Sequence, residues 1–155
     1  MKLAVSPFHI DDISSLITHG ADIILVGNSF FANRLTASFT NEELIDIVQT
    51  VKTLGKEVYI QLNLIVHNEH LEALDTYLDF VKSLDVDGIV FGDLAVYQLA
   101  KQKHMEQLLY YNPETLNTNT YDAIYWGKRG IKGLFIAKEI TLEDISLFHQ
   151  ESPIE

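Results

Sequence analysis

The sequence predicts an α/β fold: about six parallel βα units forming part of a TIM-like (β/α) barrel that does not close. Three observations carry that prediction. Short apolar runs recur at intervals of roughly 20–35 residues, the scale of one βα unit. The runs are continuously apolar rather than alternating, as in strands covered on both faces of a parallel sheet. Apolar residues at helical spacing fill the intervals between them.

The first run is "LAVS" (Leu3–Ser6), followed by Ile10, Ile13, Leu16 and Ile17 at helical spacing. Gly20 then stands where a left-handed helix end is expected. The second run is "IILVGN" (Ile23–Asn28). Thr40 and Glu43 have capping-box spacing ahead of Leu44, Ile47, Val48 and Val51, and Gly55 closes that helix. The third run, "VYIQLN" (Val58–Asn63), precedes a helix carrying Leu71, Leu74, Leu78 and Val81. "GIVFGD" (Gly88–Asp93) and "LLYYN" (Leu108–Asn112) are the fourth and fifth runs, each followed by a shorter helical segment. Gly130 precedes the sixth, "GLFIAKE" (Gly133–Glu139), and Thr141 with Asp144 is a weaker capping signal after it. "HGADIILVG", "LGKEVYIQL", "DVDGIVFGD" and "RGIKGLFIA" read as rough copies of one phrase.

No Gly-rich phosphate loop follows the first strand, where the sequence is "SPFHID", so a dinucleotide site is not expected. A complete barrel takes about 250 residues. Residues 1–155 are therefore expected to be a single (β/α) domain, the N-terminal portion of a longer barrel. Its open strand edges favour a homo-oligomer.

The formal net charge is −11, with 11 Lys+Arg against 22 Asp+Glu. That balance argues against this chain alone gripping a phosphate backbone or an anionic membrane surface. There is no cysteine, which excludes thiolate catalysis, Cys-ligated zinc and iron–sulfur ligation by these residues, and fits a cytoplasmic protein. "MKLAVSPFHIDD" is too short in its apolar part for a signal segment, and no apolar run reaches membrane-spanning length.

In a (β/α) barrel the functional groups gather at the C-terminal ends of the strands. Those positions carry Ser6, Asn28, Asn63, Asp93, Asn112 and Lys138 with Glu139, and the following loops add Arg34, His67 and Asn68. Strand ends are also turns, which favour Asn and Asp without any function. Arg34, in the apolar loop "NSFFANRLTASF", reads either as a clamp for a carboxylate or phosphate or as half of a structural ion pair. Asp93 reads either as a general base or substrate hydrogen-bonding group or as the N-cap of the next helix. Lys138 and Glu139 are neighbours, so on a strand only one would face inward.

"HNEH" (His67–His70) fails as a zinc-protease motif, which needs histidines at i and i+4. Its H-x-E order matches zinc deaminases, but those need cysteine ligands. No metal site is therefore expected. The alternative is that Asn68 caps a helix starting near Glu69, with His70 exposed and His67 on the rim. No Ser-His-Asp set can be assigned, and no G-x-S-x-G elbow is present.

In ordered phrases, the chain resembles the N-terminal part of the peptidase U32, or collagenase-like protease, family. These are "LAVSP", "HGADIILVGNSFFANRLTASFTNEEL", "GKEVYIQLNLIVHNEHLEALDTYL", "DVDGIVFGDLAV" and "GIKGLFIAKEITLEDI". The resemblance implies a TIM-like barrel with catalytic roles for Asp93, His67 and Glu139 and substrate-binding roles for Arg34, Asn63, Asn68 and Lys138. Two departures from the family pattern are "YYNPETLNTN", where many members have a Ser-Thr-Gln phrase, and Lys138, where Arg is common. The first looks like the shorter of paired bacterial paralogues. For the intact protein the resemblance implies hydroxylation of the tRNA wobble uridine, or alternatively a collagenase-like peptidase, or a non-catalytic half-barrel assembling with a U32 paralogue. It also implies that an iron–sulfur cluster or metal would belong to the C-terminal part, that tRNA is met only by the intact protein, and that this chain alone is inactive.

Overall fold

Each apolar run contains a strand in the computed structural model, which describes residues 1–114, 117–152 and 154. The strands are β1 (Ala4–Val5), β2 (Ile23–Gly27), β3 (Glu57–Leu62), β4 (Gly88–Phe91), β5 (Leu109–Tyr111) and β6 (Gly133–Leu134). Between and after them lie α1 (Asp12–Thr18), α2 (Asn41–Thr53), α3 (Leu71–Ser83), α4 (Leu94–Gln102), α5 (Thr120–Gly127) and α6 (Leu142–Glu151). Short 3₁₀ turns precede α3 (Asn68–His70) and β5 (Glu106–Leu108).

The sheet order is β1-β2-β3-β4-β5-β6 and every pairing is parallel. Each strand thus adds beside its predecessor, and the order never reverses. A doubly wound sheet reverses its order and takes helices on both faces. Successive right-handed crossovers without a reversal put the helices on one side and curl the sheet around the other. The result is a half-barrel.

Its main core lies between sheet and helices. Ile24, Val26, Val58, Ile60, Leu62, Ile89, Phe91 and Leu109 from the strands meet Leu44, Ile47, Leu74, Leu78 and Val96 from the helices. A smaller cluster on the concave face holds Ile23, Tyr59, Val90 and Tyr110. Tyr59 and Tyr110 stack at 4.8 Å, and their hydroxyls share a 2.8 Å hydrogen bond. Gly88 makes that packing fit: a Cβ there would lie 2.9 Å from the Tyr59 ring. The concave face encloses a cavity of about 590 Å³ lined by Ile23, Leu25, Tyr59, Tyr110 and Phe135 among others.

At the N-terminal ends of the strands, charged side chains lock the αβ turns. Lys52 donates to Asp87 at 2.7 Å, and the other Asp87 oxygen accepts the Val58 N–H at 3.0 Å. Lys56 donates to Asp22 at 2.8 Å, and Asp22 also accepts the Leu3 N–H. Gly20, Gly55 and Gly130 close three helices with φ of 107°, 69° and 83°, conformations that side chains resist. Thr40 and Glu43 form the capping box in full. Thr141 accepts the Asp144 N–H at 3.2 Å.

Two boundaries differ from the sequence reading. The sixth strand is expected over Gly133–Glu139 but ends at Leu134. It pairs on one side only, with β5, and buried Asn117 takes over beyond that point. The Asn117 side-chain amide donates to the Phe135 carbonyl at 2.8 Å, and the Asn117 backbone carbonyl accepts the Ala137 N–H at 3.0 Å. Asn68 is the first residue of a 3₁₀ turn rather than a helix cap, because the chain tightens for one turn before α3 begins.

Candidate functional site

The longer connections lie at the C-terminal ends of the strands, and they enclose a pocket of about 480 Å³. Its lining comes from the ends of β3, β4 and β5 and from the β2–α2 loop: Asn33, Arg34, Asn63, Leu64, Ile65, Gly92, Asp93, Tyr111, Asn112, Pro113 and Glu114. Side-chain hydrogen bonds hold the β2–α2 loop, residues 28–40. Asn28 accepts the Phe30 N–H at 2.8 Å and donates to the Phe39 carbonyl at 3.1 Å. Phe31 fixes the loop to α3 by stacking on Tyr77 at 4.6 Å. Arg34 then projects from the loop with φ 55°.

Arg34 forms an ion pair with Glu114, a residue of the β5–α5 loop with φ 71°. The Glu114 carboxylate also accepts a hydrogen bond from the Asn63 amide at 3.0 Å. Asn63 is oriented for this because its carbonyl oxygen accepts the Asn33 N–H at 2.9 Å. Asn112 accepts the Glu114 N–H at 3.0 Å. Three loops thus meet at one carboxylate on the pocket wall.

Asp93 is on the same wall, with both oxygens engaged. One accepts the Ala95 N–H at 2.8 Å and caps α4, and the other accepts the Val66 N–H at 2.9 Å. The N-cap reading of Asp93 is therefore realised, and the same residue ties the β3–α3 loop to α4.

Of the seven candidate residues, Arg34, Asn63 and Asp93 come together in this pocket. His67, Asn68, Lys138 and Glu139 are exposed at the same end of the sheet but do not line it. Lys138 and Glu139 sit in a turn after β6 has ended, so the question of which face they take does not arise. His70 is half-buried rather than exposed, with its ring edge-on to Phe30 at 6.2 Å and to His67 at 5.7 Å. Among the described residues no three His, Asp or Glu side chains gather as a metal site.

Glu114 and Asn33 escaped the sequence reading. Glu114 lies within "YNPETLNTN", whose Thr115 and Leu116 are outside the described residues. The only local signal was a surplus of acids facing a scarce arginine.

A parallel (β/α) half-barrel with a polar pocket at its strand ends has the layout of a (β/α)-barrel enzyme's substrate side. Residues 9–155 match the sequence model of peptidase family U32, and the chain belongs to that family. It is 33% identical over 154 residues to tRNA hydroxylation protein P2 of Bacillus subtilis (strain 168), covering 99% of this chain and 50% of that protein. It is 22% identical over 148 residues to tRNA hydroxylation protein P1 of the same organism, covering 95% of this chain and 35% of the relative. The chain thus spans half the length of one relative and about a third of the other. The solved structure of the U32 peptidase Mk0906 superposes with a TM-score of 0.76 at 17% identity, over 100% of this chain and 67% of that one, a likeness of fold.

Proposed function

We propose that this half-barrel is the substrate-facing part of an RNA-hydroxylating enzyme whose whole chain modifies a uridine of tRNA. The observation that carries the reading is the 33% identity to a tRNA hydroxylation protein along almost the entire chain. In this reading Arg34 and Asn63 hold the substrate in the rim pocket, and Asp93 keeps two of its walls in register. His67, Asn68, Lys138 and Glu139 meet the substrate outside the pocket. The residues present do not fit an iron–sulfur cluster, because there is no cysteine among them. A cluster or metal would need ligands from elsewhere.

The acidic charge of −11 assigns the gripping of RNA phosphates to other residues of the whole protein or to a partner. A U32 paralogue is the proposed partner, since two different Bacillus subtilis proteins resemble this chain. The open edges β1 and β6 offer a second route, to a homo-oligomer. No helix among the described residues is long and apolar enough to cross a membrane, and a cytoplasmic location is proposed with the RNA substrate.

Mass spectrometry of tRNA nucleosides after gene deletion tests the reading. The expected result is loss of a 5-hydroxyuridine-type nucleoside, restored by the whole gene and not by its R34A/N63A form. An unchanged nucleoside profile would overturn it. The family description favours a second reading, a collagenase-like peptidase. It expects gelatin cleavage by the whole purified protein, with clean inactivity, with and without added metals, as the opposing result.

A further inference from the structure

We infer that Glu114 is an internal stand-in for a ligand's oxyanion: it plugs an anion seat made by Arg34 and Asn63, and a carboxylate or phosphate of the ligand takes its place. The inference goes beyond RNA hydroxylation and requires only that the rim pocket binds a ligand.

The contacts are those of a recognition site. The two oxygens of the Glu114 carboxylate meet different donors, Oε2 the Arg34 guanidinium and Oε1 the Asn63 amide. A guanidinium with a second donor beside it reads the edge of a carboxylate or a phosphate. The seat is prepared on its own, because the Asn33 N–H holds the Asn63 carbonyl and so aims the amide outward. The two Asp93 oxygens are turned to backbone instead, accepting the Val66 and Ala95 N–H groups. Removing the Glu114 side chain would leave one cation and one amide donor facing a pocket of about 480 Å³, room for a small molecule or a single nucleotide.

Stability does not account for the pair. The Arg34 side chain is 79% exposed, and ion pairs of that kind contribute little. Yet both partners hold positive φ, 55° and 71°, which costs free energy for residues with a Cβ. Asp85 and His104 also hold positive φ, in turns after α3 and α4, whereas Arg34 and Glu114 carry it on both partners of one exposed pair. An internal competitor also gives selectivity, because only a ligand that satisfies both donors displaces it.

The test uses the 155-residue chain labelled with ¹⁵N and titrated separately with sodium phosphate and sodium succinate at constant ionic strength. The Asn63 side-chain amide and the Arg34 Nε report the seat directly. Glu114→Asn is the informative variant: asparagine tolerates positive φ but is too short and uncharged to fill the seat. E114G is the second variant should E114N fold poorly.

Either variant is expected to bind at least one anion about three- to tenfold more tightly than the native chain, because the seat is no longer partly self-occupied. Adding R34A is expected to abolish the gain. A gain for phosphate alone assigns the seat to a phosphate-bearing ligand, and one for succinate alone to a small carboxylate. Unchanged or weaker binding in both variants, absence of binding, or a gain that survives R34A would overturn the inference. These results are independent of the tRNA nucleoside profile.

Discussion

The two ends of the sheet are built to opposite specifications. At the N-terminal end the turns are short, as in residues 54–56 and 84–87, and their polar groups pair internally. Lys52 with Asp87 and Lys56 with Asp22 join neighbouring βα units there. At the C-terminal end most loops are longer, as in 28–40 and 112–119, the two-residue connection 92–93 being the exception. Of the 11 cations in the chain only Arg34 and Lys138 lie at that end. Large apolar side chains, among them Phe30, Ile65 and Leu94, are exposed there. Helix geometry explains part of the contrast, because cations favour helix C-termini, which all point to the other end. The rest lies in what each end presents: one end pairs lysines with aspartates across neighbouring units, while the other sets the Arg34–Glu114 pair and exposed apolar side chains around a pocket.

The largest expected effect is therefore at the N-terminal end. Asp87→Ala leaves the fully buried Val58 without its N–H acceptor and removes the nearer of the two Lys52 partners, leaving Asp85 at 4.0 Å, an expected loss of about 2–3 kcal/mol in urea unfolding. Asp93 tests the exception, a group at the pocket end that works as a fastener. D93A is expected to cost about 1–2 kcal/mol, and D93S, which keeps a capping oxygen, is expected to recover part of it.

Tyr77 gives a smaller effect with a pH signature. Burial raises its phenol from 10.0 to about 12, and its hydroxyl is buried without a partner among the described residues. The folded value lies above the unfolded one, so the neutral phenol's contribution is fully present below pH 10 and fades as pH rises toward 12. The Lys52 ammonium, raised above 10.5 by its bond to Asp87, fades in the same direction. Y77F is expected to be neutral to about 1 kcal/mol more stable near pH 7, and to flatten the alkaline limb of the stability curve. An unaltered alkaline limb would remove Tyr77 from the account.

The smallest effect is expected for Arg34→Ala, about 0.5 kcal/mol or less by the same urea measurement. If R34A matched D87A, the contrast between the two ends would collapse, and the Arg34–Glu114 pair would have to be read as a fastener too.

Much of the architecture was legible because its causes are local. Continuously apolar runs give the buried strands, Thr40 and Glu43 cap α2, and glycines close helices where a Cβ would be strained. The same local logic placed Asn63 and Asp93 at strand ends. It could not choose between the two readings of Asp93, because a cap and a ligand group begin with the same residue in the same place.

The sequence by itself therefore determined the βα repeat and the half-barrel class. These follow from periodicity, propensity and the handedness of crossovers. Only the tertiary structure decided which rim residues meet. Arg34 and Glu114 lie 80 positions apart and become neighbours because the curl of the sheet brings the β2 and β5 loops over one pocket. The early end of β6 has the same origin: Asn117 captures its backbone from the preceding connection, a partnership that no local pattern encodes.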